Sequence, residues 1–226
     1  MSTELDSSTS KFSDKYRFWL ILVIALVVMQ VPVISIPFKW FESFFHEISH
    51  GLAAIFTGGS IVRIELFTNG AGLCTTRGGS AFLISFSGYA GASAWGMILY
   101  WFSSMHQRLA QVVSLVIVLL LATTLILWVR DFLTFTIIAI LLVIILLKFK
   151  LTNLKYLQFM LQIIAAVVLL NSVRSPLYLI DGRELGDGAA LANMTMIPEM
   201  IWVVLWCILG LLAIVSVMKL KMKTIR

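Results

Sequence analysis

Charged residues are scarce in this chain of 226 residues, since Asp, Glu, Lys and Arg make up only 12% of it. A soluble domain carries roughly 25%. The shortage excludes a large soluble domain beside the apolar segments. The net charge of +6 does not indicate nucleic-acid binding. The lysines and arginines lie mostly at the ends of apolar runs, where they orient helices against a membrane surface.

Cysteine and histidine are also rare. The two cysteines, Cys74 and Cys207, lie far apart in the sequence. Their spacing excludes a disulfide framework and a paired-cysteine metal or redox motif. Only three histidines occur, and two of them lie four residues apart. The third, His106, lies in a short polar connection beside Arg108, which is typical of a membrane interface.

Long apolar runs account for most of the remaining sequence. The chain is 60% hydrophobic, with a mean hydropathy of +1.00. We predict an all-α polytopic membrane protein with about six transmembrane helices, a separate motif-bearing helix and a small β-hairpin. The predicted spans are Phe18–Pro37, Ser80–Phe102, Val112–Val129, Phe132–Leu147, Leu157–Leu170 and Ile197–Met218.

The segments outside the spans predict how the chain is oriented in the membrane. Residues 1–17 are predicted to be a polar, uncleaved cytoplasmic leader, residues 18–218 one integral membrane domain, and residues 219–226 a basic tail. If the motif helix re-enters the membrane, the leader, the lysine-rich connection at residues 148–155 and the tail all lie on one side. If it crosses the membrane fully, that connection and the tail fall opposite the leader. The positive-inside rule therefore favours the re-entrant arrangement.

The segment His46-Glu47-Ile48-Ser49-His50 lies in an apolar stretch, residues 40–57, that predicts a helix ended by Gly58-Gly59. Positions four apart lie on one helix face, so both imidazoles can reach one metal ion. Glu47 can act as general base on a metal-bound water. These polar side chains are costly in an apolar helix without a partner. The cost favours a zinc site over a chance pentapeptide in a transporter or scaffold.

Residues 60–76 have the pattern of a β-hairpin. Residues 61–67 alternate like a strand, Asn69-Gly70 is a strong turn pair, and residues 73–76 provide a return strand. Two interpretations remain open. The hairpin is either a plain connection in solvent or an extended edge beside the metal site. Such an edge would hold an unwound substrate segment as an added strand.

A catalytic zinc ion needs three protein ligands and one open position. The candidates for the third ligand lie near the motif, in the polar connection and on a polar island before the last span. They are Glu42, Glu65, His106, Asp181, Glu184 and Asp187. A closed structural site would need a fourth protein ligand, such as Glu42 or Cys74.

These features together resemble the site-2-protease-like intramembrane zinc metalloproteases. The shared features are the apolar His-Glu-x-x-His motif, the Gly58-Gly59 stop, the Asn69-Gly70 hairpin and a late Asp followed by small residues. The match is closest to a compact subgroup without a PDZ domain. It covers residues 44–96 well and residues 181–206 more loosely. The resemblance implies one zinc ion held by two histidines and a later aspartate, with the glutamate as base.

Two aspartates match the late part of this family pattern. Asp181-Gly182 resembles the motif of the wider family. Asp187-Gly188 resembles the compact subgroup, because it opens an Ala- and Leu-rich segment that runs toward Pro198. We favour Asp187 over Asp181. The Asn-Pro that precedes the late aspartate in the family is absent here, so Asn69 in the hairpin is the candidate for binding the substrate backbone.

The predicted function is that of an intramembrane zinc metalloendopeptidase acting on membrane-spanning substrates. Glu47 is the predicted catalytic residue, and His46, His50 and Asp187 are the predicted ligands of one Zn²⁺. The predicted partners are a membrane-protein substrate and the lipid bilayer, with no nucleic acid, and the predicted location is the cell (inner) membrane. Two alternatives remain: a zinc hydrolase of a lipid-linked or small amide substrate, and a non-catalytic membrane protein with structural zinc or a transport role.

Overall fold

The protein is a bundle of helices with one small sheet. The computed structural model describes residues 2–151, 154–183 and 185–223, with side chains for residues 16–147, 154–183 and 185–219. The helices in these ranges are α1 (Ser2–Gln30), α2 (Pro32–Phe56), α3 (Ala81–Met105), α4 (Gln107–Leu127), α5 (Phe132–Leu151), α6 (Leu154–Arg174), α7 (Asp187–Thr195) and α8 (Glu199–Lys223). The strands are β1 (Ser60–Leu66) and β2 (Gly72–Arg77), and a short 3-10 helix, Ser175–Leu179, follows α6. The side chains outside the described residues include those of the leader up to Lys15, of Lys148, Lys150 and Glu184, and of the tail beyond Lys219.

The chain turns sharply between α1 and α2, with an angle of 109° between the two helices. Pro32 opens α2, and Val31 before it is extended, with φ −94° and ψ 107°. Proline fits the first turn of a helix, lacks an N–H, and forces the preceding residue toward extended backbone. The predicted span Phe18–Pro37 is therefore wrong at its end, and the motif helix begins at Pro32 rather than at Trp40.

Several helices are long and apolar enough to cross a membrane. Within the described residues there are four, and the bent α1–α2 pair adds a fifth if it is counted as one span. The bend fits a broken span as well as a re-entrant loop. The apolar part of α5, Phe132–Leu147, is shorter than these. The chain is a mostly helical integral membrane protein with a small two-stranded sheet, as predicted, but the count of six spans is not confirmed.

Small residues allow α3 to pack closely against its neighbours. Gly88, Ala92 and Gly96 are buried on this helix. A Cβ atom on Gly96 would lie 2.9 Å from Cγ of Leu169 on α6. Small side chains let helix backbones approach closely in a membrane. As a result, α3 lies between α6 and the motif helix α2.

The hairpin forms where the sequence predicts it. β1 and β2 pair antiparallel in a two-stranded sheet. At the turn, Gly70 has φ +87°, a backbone conformation that glycine adopts without strain. The Asn69 side-chain oxygen accepts a hydrogen bond from the Ala71 amide at 3.0 Å. This contact closes the turn and joins the two strands.

The two outer edges of the sheet differ. On β1, the Ile64 amide donates to the Trp128 carbonyl at 3.1 Å, and the Leu66 amide donates to the Thr134 hydroxyl at 3.0 Å. Directly opposed residues that do not bond each other both point their amides outward. The partners of Ile64 and Leu66 therefore present their amides on the outer edge of β2. They are Cys74 and Gly72. In the described part of the chain, no third strand lies on this edge.

Candidate metal centre

The two histidines of the motif converge because they lie one turn apart on α2. Their ring centroids are 4.7 Å apart, and their Nε2 atoms are 3.0 Å apart. The other ring nitrogen of His50, Nδ1, lies 2.6 Å from the carbonyl oxygen of Ile84 on α3. A carbonyl oxygen can only accept a hydrogen bond, so Nδ1 carries the proton. His50 Nε2 therefore presents its lone pair toward His46 and α7.

Asp187 reaches this pair of nitrogens from the start of α7. Its Oδ2 atom lies 3.2 Å from His46 Nε2 and 3.3 Å from His50 Nε2. Gly186 has φ +95°, and this turn lets α7 begin at Asp187. Within the residues that the structure describes, His46, His50 and Asp187 form the group that could hold a metal ion.

The spacing of the three donor atoms fits a zinc ion. Zinc–ligand distances of about 2.0–2.1 Å at tetrahedral angles place neighbouring donor atoms about 3.3 Å apart. The three separations observed here are 3.0, 3.2 and 3.3 Å. Two imidazoles and a carboxylate are also a ligand set that catalytic zinc uses. The side chains of His46 and Asp187 remain 18% and 20% exposed, so the site has an open side.

Glu47 lies between these side chains and the hairpin. A Cβ atom on Gly72 would lie 2.6 Å from Glu47 Oε1 and 2.6 Å from Ser43 Oγ, so the start of β2 lies directly against the carboxylate. The backbone amide of Cys74 also interacts with this carboxylate. Glu47 is therefore a buried carboxylate next to the three-residue group without belonging to it.

Asp181 does not reach the histidines. Its carboxylate accepts hydrogen bonds from the backbone amide of Arg183 at 2.9 Å and from Arg183 Nε at 2.6 Å. The side-chain hydrogen bond from Arg183 lowers the pKa of the Asp181 carboxyl. Asp181 is thus paired in an exposed turn, and the structure brings Asp187 to the motif helix instead. Glu184, also a candidate ligand, lies outside the described residues.

Two acidic candidates near the motif bind other partners. Glu42 accepts hydrogen bonds on both carboxylate oxygens, from Asn171 Nδ2 at 2.7 Å and from Ser175 Oγ at 2.5 Å. Glu65 forms an ion pair with Arg63, with 3.0 Å between Oε2 and Nε. Glu42 therefore connects α2 to the end of α6, and Glu65 lies along β1.

The other sequence candidates lie outside the three-residue group. His106 separates α3 from α4, and its Nδ1 accepts a hydrogen bond from the Arg108 amide at 3.2 Å. Cys74 and Cys207 are both free thiols. Asn69 is exposed in the hairpin turn, where its side chain bonds the turn backbone. The role of Asn69 in substrate binding stays a prediction.

Reasoning from the sequence missed two neighbours of the site on α3. A Cβ atom on Gly88 would lie 2.5 Å from His50 Nε2 and 2.6 Å from His46 Cε1, so α3 passes directly over both imidazoles. The ring of Tyr89 packs edge-on against His46, with 4.5 Å between centroids and 77° between planes. The run of small residues in α3 predicts close helix packing, with packing beside the motif helix as the more specific interpretation, but it does not say which small residue meets the imidazoles.

The comparison with known families agrees with this arrangement. The family model described as Peptidase M50B-like matches residues 19–217. The chain belongs to this family. No curated protein and no solved structure matches the chain significantly. Membership confirms the resemblance to site-2-protease-like enzymes and makes the chain a metallopeptidase in general terms. The matched range of this M50B-like peptidase includes both α2 and α7, which contribute the three donor atoms.

Proposed function

We propose that this M50B-like peptidase is an intramembrane zinc endopeptidase that holds one Zn²⁺ with His46, His50 and Asp187. The observation that carries the proposal is the convergence of two imidazole nitrogens and a carboxylate oxygen, each within 3.3 Å of the others, in a membrane bundle. In the described part of the chain, this group has three members and excludes Glu42 and Cys74. Three protein ligands with an open side are the arrangement of catalytic zinc rather than structural zinc.

The side chains around the ion have separate tasks. A bound zinc ion would act as a Lewis acid that polarises the scissile carbonyl and makes water a stronger nucleophile. The Glu47 carboxylate accepts a proton from the attacking water and later delivers it to the leaving amine nitrogen. The hydrogen bond from His50 to Ile84 keeps His50 Nε2 free of a proton and oriented toward the ion.

The outer edge of β2 supports a membrane-protein segment as the substrate. Gly72 and Cys74 present their amides on this edge, and both residues lie beside Glu47. A helix hides its peptide bonds, so a membrane-spanning substrate must become extended before it is cut. An extended segment can add to the edge of a sheet through backbone hydrogen bonds. In this arrangement the peptide bond would lie between β2 and the group His46, His50 and Asp187, and Asn69 at the hairpin turn would be a further contact for its backbone.

The Glu47→Gln variant of the full chain tests the proposal. Gln keeps the size of the side chain but cannot take a proton from water. We expect zinc content, measured by mass spectrometry on the purified protein, to equal that of the wild type. Cleavage of fluorescently labelled casein and of single-span membrane proteins in liposomes should fall by about 100-fold or more.

The matched control is Glu65→Gln, which also neutralises a carboxylate but lies on β1 beside Arg63. It should retain wild-type cleavage. A Glu47→Gln protein that holds zinc and cleaves at the wild-type rate would refute the role of Glu47. A wild-type protein that binds no zinc would refute the metal centre.

A further inference from the structure

Tyr89 is held in a fixed position beside the metal centre. Gly88 brings α3 against both imidazoles, and Tyr89 follows it directly. The Tyr89 ring packs against the His46 ring, with 4.5 Å between centroids. It also packs against the Trp206 ring of α8, with 4.8 Å between centroids. Trp206 is itself fixed, because its Nε1 donates a hydrogen bond to the Phe86 carbonyl at 3.1 Å. The Tyr89 ring therefore lies between a candidate ligand and a buried tryptophan.

The Tyr89 side chain lies next to the three-residue group, within the electrostatic range of several carboxylates. Four carboxylates interact with it electrostatically: Asp187, Glu42, Glu47 and Glu199. The Tyr89 hydroxyl forms no hydrogen bond with any residue that the structure describes. Tyr89 is only partly buried and its ring contacts His46, which places this side chain next to a substrate bound at the three-residue group. A phenol is a neutral hydrogen-bond donor that keeps its proton near neutral pH.

The other side chains of the centre cannot supply such a donor. His46 and His50 would present lone pairs at Nε2 to a bound metal ion, and the Nδ1 proton of His50 is already donated to Ile84. Asp187 and Glu47 are acceptors when ionised. Hydrolysis of a peptide bond nevertheless places negative charge on the carbonyl oxygen. A donor held in advance at that position stabilises the charge as it develops.

We propose that the Tyr89 hydroxyl is a catalytic hydrogen-bond donor to the carbonyl oxygen of the scissile peptide bond. The inference rests on the proposed peptidase function and adds a residue to it. The phenol keeps its proton throughout, and the proton transfers remain with Glu47. Tyr89 contributes more to the transition state than to the bound substrate, because the hydrogen bond strengthens as the oxygen becomes negative.

The test is the Tyr89→Phe variant, which keeps both ring contacts and removes only the hydroxyl oxygen. Its matched control is Tyr100→Phe, since Tyr100 lies on the same helix and packs against Phe18 at 5.6 Å, outside the metal centre. Full-length proteins in detergent are compared for zinc content, for kcat and KM with labelled casein, and for affinity to a phosphinic dipeptide. The phosphinate oxygen of that probe occupies the position of the charged carbonyl oxygen.

We expect Tyr89→Phe to bind zinc like the wild type, to keep its KM and to lose about 100-fold in kcat. Its affinity for the phosphinic dipeptide should fall by about 10- to 100-fold. Tyr100→Phe should match the wild type in every measurement. These results would separate a donor to the reacting oxygen from a ring that only packs against His46.

Three outcomes would overturn the inference. The first is a Tyr89→Phe protein with wild-type kcat and wild-type phosphinate affinity. The second is loss of zinc in that variant, which would make the hydroxyl a support for the ligands. The third is a zinc-loaded wild-type protein that neither cleaves casein nor binds the phosphinate, which would also remove the peptidase proposal. The first two outcomes leave that proposal intact.

Discussion

Gly88 lies so close to His50 that any side chain at this position would overlap the imidazole. A Cβ atom there would be 2.5 Å from His50 Nε2, well inside van der Waals contact. The backbone of α3 thus forms one wall of the metal centre. The same helix supplies the carbonyl of Ile84 that orients His50. The positions of the two donor nitrogens therefore depend on the distance between α2 and α3.

The Gly88→Ala variant should lose zinc affinity. The added methyl group must displace an imidazole or push α3 away from α2, and overpacking of this kind costs about 1–3 kcal/mol. Either displacement breaks the spacing of the donor atoms. We expect weaker zinc binding in a competition titration and a loss of peptide cleavage.

Gly96→Ala is the control for this variant. Its new methyl group would meet Leu169 on α6 at 2.9 Å, away from the donor atoms. It should lower the melting temperature and leave zinc affinity unchanged. Wild-type zinc affinity in Gly88→Ala would contradict the proposed close packing over the ligands.

Asp187→Ala should weaken zinc binding, and Asp181→Ala should not. Oδ2 of Asp187 lies within 3.3 Å of both histidine nitrogens, whereas Asp181 is paired with Arg183. Removal of a direct ligand should lower zinc affinity by more than the roughly 10- to 100-fold seen when a hydrogen-bond partner of a ligand is removed. Equilibrium dialysis with zinc, followed by metal analysis, measures the difference. Equal losses in the two variants would speak against Asp187 as the third ligand.

Cys74→Pro should prevent substrate cleavage, because proline has no amide hydrogen to donate from the outer edge of β2, either to the Glu47 carboxylate or to a substrate backbone. Proline is tolerated at outward-facing positions of an edge strand, so the hairpin should remain paired. Labelled casein and a single-span protein in liposomes are suitable substrates.

Cys74→Ala keeps the amide and removes the thiol, so it should cleave both substrates like the wild type. If Cys74→Pro retains zinc and also retains cleavage, the outer edge of β2 does not bind the substrate backbone through this amide. If Cys74→Ala loses cleavage, the thiol rather than the backbone is the important group.

Asn171→Ala should destabilise the bundle. Asn171 donates a hydrogen bond to the half-buried Glu42 carboxylate, and its removal leaves a carboxylate oxygen without that donor. A fully buried acceptor left unsatisfied costs about 1–3 kcal/mol, so we expect a cost near the low end of that range. The melting temperature in detergent should fall, while exposed Asn193→Ala should leave it unchanged. An equal melting temperature for both variants would show that the contact contributes no stability.

The local sequence pattern was sufficient to predict the parts of the site that lie on a single helix or hairpin. A single helix sets the spacing of His46, Glu47 and His50, so their proximity follows from their positions in the sequence. The hairpin was also predictable, because Asn69-Gly70 is a strong turn signal between two strand-like runs. The roles of these residues in catalysis and metal binding stay predictions.

Relationships between distant elements could not be predicted in the same way. The position of Asp187 depends on how α3 packs against both α2 and α7, and no local pattern encodes that packing. The position of Gly88 over the imidazoles likewise depends on how α3 packs against α2. The bend at Val31 was missed for a different reason. Pro32 and Pro37 can each end or start a helix, but α2 begins at Pro32 and continues through Pro37.

The separation of the three donor atoms along the chain has a consequence for biosynthesis. His46 and His50 precede α3, whereas Asp187 follows α6. The donor atoms can meet only after the helices between them have been made and packed. A nascent or partly assembled chain therefore carries an incomplete site. On the proposed function, the protein cannot cut its membrane neighbours until its own assembly is finished.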